Sequence, residues 1–109
     1  MKPDEIPPGS LYLLILKTLS RHGELHGYEI AESILHTSGD VLEVEEGSLY
    51  PALQRMLVKG WVTAEWGVTA GNRRARYYRL TVAGRKQLAA ELSHFERLYG
   101  AIARVVQPA

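Results

Sequence analysis

From Leu11 to about Ser20 the chain reads LYLLILKTLS, apolar on nearly all sides, which predicts a helix buried on more than one face. Pro7-Pro8-Gly9 breaks the chain ahead of it, Ser10 offers an N-cap, and Gly23 offers the left-handed residue that ends it. A second helix is expected from Tyr28 to about Thr37. Ile30, Ala31, Ile34 and Leu35 form its inner stripe, and Glu29 and Glu32 sit near its positive end. Ser38-Gly39-Asp40 breaks the chain again. A third helix is expected from Gly47-Ser48 to about Lys59, with Leu49, Leu53, Met56 and Leu57 on its core face. With Ser48 as N-cap, Pro51 falls in the first turn, whose N–H groups lack helical partners anyway. Gly60 closes that helix.

The period then changes. Trp61–Trp66 and Arg76–Leu80 are rich in aromatic and β-branched residues and flank a turn-like segment from Gly67 to Asn72. This predicts a β-hairpin whose tip carries Gly71, Asn72, Arg73 and Arg74. Strand alternation forbids Tyr77 and Tyr78 from sharing a face, so one of them belongs to the core. Thr81 caps a long last helix reaching about Val106. Within it Leu88, Leu92, Phe95, Tyr99, Ile102 and Val106 recur at spacings of four and three, a sustained heptad seam.

Three short helices, a two-stranded hairpin and a trailing helix define a mainly α chain with the architecture of a winged helix-turn-helix. The pattern divides it into a domain over 1–83 and a dimerisation helix over 84–109. With the third helix's apolar face inward, Ser48, Pro51, Gln54 and Arg55 turn outward. An exposed helix N-terminus fits the DNA major groove, where Gln pairs with adenine and Arg with guanine through two hydrogen bonds each. The hairpin arginines would then hold phosphate or enter the minor groove.

Charge sharpens this reading. The net charge of +1 hides a segregation: Met1–Gln54 holds nine acids against three bases, whereas Arg55–Lys86 holds eight bases and one acid. A segregated basic block is the footprint of a polyanion-binding face, although a solvated surface would look the same on charge alone. The chain of 109 residues has no cysteine, which removes disulfides, thiolate metal sites and a thiol nucleophile. The longest apolar run, Leu11–Leu16, is far short of the ~20 residues that cross a bilayer, and no leader pattern opens the chain. A cytoplasmic protein with no membrane partner is expected.

Four stretches carry a resemblance: His26–Ile30 (HGYEI), Glu46–Leu53 (EGSLYPAL), Gly60–Val62 (GWV) and Arg73–Gly84 (RRARYYRLTVAG). In this order they resemble the PadR family of bacterial transcriptional regulators, from about Leu11 to Leu92. The likeness is to the short form, with a single C-terminal dimerisation helix. It implies a homodimeric repressor that releases its double-stranded DNA operator when a small-molecule effector binds. It also implies that Ser48, Tyr50, Gln54 and Arg55 are recognition-helix positions and that Asn72, Arg73, Arg74 and Arg76 belong to the wing. Tyr28 joins the DNA-binding set because the glycine before it leaves its backbone open to a phosphate. Both Tyr28 and Tyr50 retain a packing role as the alternative, and Arg79 and Arg85 have a solvent-facing one. Glu45 and Glu46 suit the dipole of the third helix but repel phosphate, so they are expected to point away from the duplex.

The heptad helix could pack back on its own chain, but the first helix is already apolar nearly all round. An interface built from Leu11 and Leu14 with Leu88, Leu92, Phe95, Tyr99, Ile102 and Val106 relieves that excess, so a homodimer is expected. His22 and His26 have the spacing of a metal pair, but Gly23 ends the helix between them and no HExxH motif accompanies them, so no metal or cofactor is expected. Neither a phosphate-binding loop, a nucleophile elbow nor a paired acid is present, which argues against an enzyme. The competing reading is a winged-helix module for protein–protein assembly without DNA contact.

Overall fold

The third helix starts earlier than its composition suggests, and this shifts the chemistry of its first turns. In the computed structural model, which describes residues 4–6 and 9–108, it runs Glu46–Val58 with Glu45 as N-cap. The Glu45 carbonyl accepts both the Ser48 and Leu49 N–H groups, at 3.0 and 2.9 Å, and so begins the helix before Ser48. Ser48 therefore lies inside the helix rather than capping it, and Pro51 stands in the second turn instead of the first. Its ring has no N–H to donate, which leaves the Gly47 carbonyl without the donor four residues on.

The elements in chain order are β1 (Asp4–Glu5), α1 (Leu11–His22), β2 (Leu25–His26), α2 (Gly27–Thr37), β3 (Leu42–Glu43), α3 (Glu46–Val58), β4 (Val62–Val68), β5 (Arg74–Leu80) and α4 (Val82–Val106). The Pro7-Pro8 breaker lies outside the described residues. Ser10 does stand before α1, but its backbone is helical and its hydroxyl caps nothing. Gly23 closes α1 with φ of 82° and donates its N–H to Leu19 O at 2.8 Å.

α2 starts at Gly27, because His26 supplies a cap that a pattern of small polar residues does not announce. The His26 ring accepts from the Glu29 N–H at 3.4 Å, and the Glu29 carboxylate accepts from the His26 N–H at 3.1 Å. This reciprocal pairing satisfies two backbone donors at one helix end.

The hairpin strands are longer than expected. β4 and β5 pair antiparallel from Val62 opposite Leu80 to Val68 opposite Arg74, which shortens the turn to Thr69–Arg73 and leaves Trp61 outside. Thr69 makes the tight tip possible: its N–H reaches Arg73 O at 2.8 Å, its carbonyl accepts Asn72 N–H at 2.9 Å and its hydroxyl accepts Arg73 N–H at 3.2 Å. Asn72 takes the left-handed conformation there, with φ of 62°. β2 adds a third strand, with His26 opposite Tyr77, and β1 pairs in parallel with β3. These short pairings had no signal in the apolar pattern.

The core is drawn from every helix. Ile15, Leu16 and Leu19 of α1 meet Ile30 and Ile34 of α2, and Leu49, Ala52, Leu53 and Met56 of α3. Val62, Tyr78 and Leu80 seal the sheet side, so Tyr78 rather than Tyr77 is the buried tyrosine. Each fully buried Leu or Ile contributes ~1.5–3 kcal/mol relative to exposure.

Thr81 fixes the start of α4, accepting Gly84 N–H at 3.0 Å while donating to Gly60 O at 2.6 Å. The first turns of α4 pack down, with Leu88 buried and Leu92 half-buried. Beyond them the heptad seam emerges into solvent: Phe95 is 41% exposed, Tyr99 66%, Ile102 54% and Val106 73%.

Candidate nucleic-acid interface

A groove of about 980 Å³ runs between the helices and the wing. One wall is the N-terminal part of α2 (Gly27, Tyr28, Glu29, Glu32) with Glu46, Tyr50 and Gln54 of α3. The other is the wing, with Trp66, Arg73, Arg74 and Arg76. Two glycines let its walls close. A Cβ on Gly27 would sit 2.8 Å from the Tyr50 ring and hydroxyl, and one on Gly67 would sit 2.8 Å from the Tyr77 ring. Tyr77 in turn meets His26 edge-on, with centroids 5.3 Å apart, so the α2 cap is braced by the sheet.

Strand alternation decides which wing residues look into this space. Ala64, Trp66 and Val68 of β4 share a face with Tyr78, Arg76 and Arg74 of β5, since these are the register partners. Near the root that face is core. Toward the tip it becomes cationic. The Arg74 and Arg76 guanidinium carbons lie 4.8 and 5.8 Å from the Trp66 ring centroid. The Arg76 Nε is buried with no hydrogen-bond partner.

Of the residues expected to meet DNA, the structure brings together Tyr28, Tyr50, Gln54, Arg73, Arg74 and Arg76 on this groove. Ser48 and Asn72 are exposed but do not line it. Arg55 is held elsewhere: its Nε donates to the Tyr12 hydroxyl at 2.7 Å, on the side of α1. Arg79 pairs with Glu24 at 2.6 Å rather than standing free. His22 lies near Ser33, its Nε2 3.3 Å from the hydroxyl, while His26 caps α2.

The acids depart from expectation. Glu45 stays outside the groove, but Glu46 lines it together with Glu29 and Glu32. Glu46 is the first residue of α3, so the helix start that puts Ser48 inside also carries this carboxylate to the groove. Glu29 is committed to the α2 cap. Glu32, as hydrogen-bond acceptor and as a negative charge, raises the Tyr28 hydroxyl above its ordinary pKa. Sequence reasoning missed Trp66 and Tyr12. The hairpin register would have placed Trp66 opposite Arg76, but no local pattern ties Tyr12 to Arg55, 43 residues away.

The fold is that of a winged-helix transcriptional regulator. The PadR-like transcriptional regulator family model matches residues 15–90, and the chain belongs to that family. It is similar to the structure of a transcriptional regulator from Clostridium thermocellum (27% identity, TM-score 0.81, covering 91% of this chain and 95% of that one). A PadR family regulator from Clostridium difficile is also similar (25% identity, TM-score 0.76, covering 91% and 100%). So is Bacillus subtilis PadR, whose structure is a complex with operator DNA (28% identity, TM-score 0.68), over 80% of this chain and 48% of that one. No helix among the described residues is long and apolar enough to cross a membrane.

Proposed function

We propose that this chain is a sequence-specific, double-stranded DNA-binding repressor that acts as a homodimer in the cytoplasm. One observation carries the reading: Tyr50 and Gln54 of α3 face Arg73, Arg74 and Arg76 of the wing across a single groove. With α3 in the major groove, Gln54 reads a base edge and the wing cations take the flanking phosphates or minor groove. Tyr28, exposed at the start of α2, lies on the same groove and offers its backbone N–H to a phosphate. Arg55 joins base reading once it leaves Tyr12. The operator complex of the Bacillus subtilis relative supports the same use of the fold.

Residues 1–83 form the DNA-binding unit, and 84–109 the dimerisation helix. Phe95, Tyr99, Ile102 and Val106, with Leu88 and Leu92 at the root of their seam, pair with Leu11 and Leu14 of α1 across a two-fold axis. Such a contact buries Phe95, Tyr99, Ile102 and Val106, which the single chain leaves in water, whereas Leu88 is already in the core of its own chain. An effector releases the operator by binding one dimer geometry better than another, and it acts only through that difference in affinity.

The test is selection of bound sequences from a random duplex pool, with light scattering on the same protein. A dimer enriching two half-sites about one helical turn apart is expected. If each protomer neutralises about four phosphates, log K falls with log salt at a slope of about −7. Arg74→Ala should weaken all duplexes and flatten that slope, whereas Gln54→Ala should relax base preference. An unchanged ranking of operator variants by Gln54→Ala would remove it as a base reader.

A further inference from the structure

An indole stands on the groove-facing side of the wing, beyond the point where that sheet face stops being core. Trp66 is 62% exposed and takes no part in the core. Its neighbours on the same sheet face are cations: Arg76 lies directly opposite in the register, and Arg74 lies on the diagonal. Both guanidinium carbons sit within cation–π range of its ring, at 4.8 Å for Arg74 and 5.8 Å for Arg76. Arg76 also stands 6.0 Å from the Tyr78 centroid, so it lies between two aromatic rings.

The groove contains groups that should compete for these arginines. Glu29, Glu32 and Glu46 all line it, yet among the described residues neither Arg74 nor Arg76 pairs with a carboxylate. The indole explains how this is sustained. A carboxylate would fix a guanidinium but cancel its charge, whereas an uncharged ring fixes it and leaves the charge available. Long arginine side chains lose rotamer freedom when they bind, and a ring that already restricts them removes part of that cost in advance.

On this ground, and resting on the DNA-binding reading above, we infer that Trp66 is the positioning residue of the wing: its ring holds Arg74 and Arg76 toward the groove, opposite Tyr50 and Gln54, as a pre-set pair of cations for the DNA backbone. Trp66 acts through the two arginines. Because it is exposed and outside the core, its removal should leave the fold intact.

The experiment measures equilibrium binding of a labelled operator duplex from the pool selection to the full-length protein and to four variants: Trp66→Ala, Trp66→Phe, Arg74→Ala/Arg76→Ala, and the triple variant. Thermal melting is followed alongside. Trp66→Ala should weaken binding roughly tenfold with little change in melting temperature, and Trp66→Phe should recover most of the loss. In the Arg74→Ala/Arg76→Ala background, removing Trp66 should cost nothing more, since the groups it positions are gone. The inference is overturned if Trp66→Ala binds as tightly as the unsubstituted protein. A full loss persisting without the arginines, or no recovery with Phe, overturns it equally. Failure of the unsubstituted protein to bind any duplex at low salt would instead strike the DNA-binding reading itself.

Discussion

The side chain of Arg55 is tied to Tyr12, its Nε donating to the phenol oxygen at 2.7 Å with the guanidinium 5.7 Å from the ring centroid. Tyr12 meets Trp61 edge-on at 5.2 Å, and Lys59 stands over Trp61 at 5.2 Å. The C-terminal part of α3 is thereby joined to α1 and to the start of the wing. Among the described residues the Arg55 Nη donors stay free, but the side chain lies against α1 and off the groove.

Tyr12→Phe keeps the ring and removes the acceptor. In the proposed complex it frees Arg55, so operator binding should tighten by roughly two- to tenfold, the worth of one hydrogen bond to a charged group near solvent. Competition binding with a fixed operator reads this directly. Weaker binding by Tyr12→Phe would mean that the Tyr12 bond orients Arg55 for DNA instead of restraining it.

Gly84→Ala should be among the most damaging single-methyl changes in the chain. A Cβ there would lie 2.0 Å from the Trp61 carbonyl oxygen and 3.0 Å from its carbon, both backbone atoms that cannot swing aside. Overpacking of this kind costs about 3 kcal/mol or more, a fall in melting temperature of roughly 10–20 °C for a domain this size. Thermal denaturation followed by circular dichroism measures it; a drop of only a few degrees would show that α4 re-docks freely.

Alkaline pH should find Tyr78. Burial pushes its phenol above the ordinary value of 10.0, the charge of Arg76 opposes this and Tyr50 adds to it. The unfolded chain therefore releases this proton first. The contribution to stability is whole below pH 10, and it is lost as pH climbs through the unfolded value toward the raised folded one. Denaturant midpoints at pH 8 and pH 10.5 should fall less for Tyr78→Phe than for the unsubstituted protein. Equal falls would place the alkaline loss in other groups.

Ile102→Glu should convert the proposed dimer to a monomer, because it puts a charge in the middle of an apolar seam that the single chain leaves exposed. Light scattering should report the mass of one protomer, and operator affinity should fall with the loss of the second half-site. The melting temperature of the chain should change far less. A variant that stays dimeric would move the interface off α4.

Part of the groove's lining was legible in the sequence. Gln54 follows from the step of the third helix and the wing arginines from a change of period at Trp61, whereas Arg55, read from the same step, lies off the groove against Tyr12. The boundaries were not. The start of α3 at Glu46 is decided by the Glu45 carbonyl taking two N–H groups, and the α2 cap by a histidine whose partner Glu29 sits three residues on. Glu46 facing the groove follows from that start, so the expectation that it turns away failed with the assumed Ser48 cap.

Periodicity and residue type alone settled the order of the four helices and the hairpin, the inward faces and the basic block, because these depend on the repeat of a helix or strand and on local burial. Which cations stay available was a matter for the folded chain. Arg55 bound to Tyr12 and Arg79 to Glu24 are pairings between elements far apart in sequence, and Arg74 and Arg76 beside Trp66 depend on the register of the folded hairpin. Charge is carried by a residue, but its freedom to meet a phosphate depends on what the packing sets beside it.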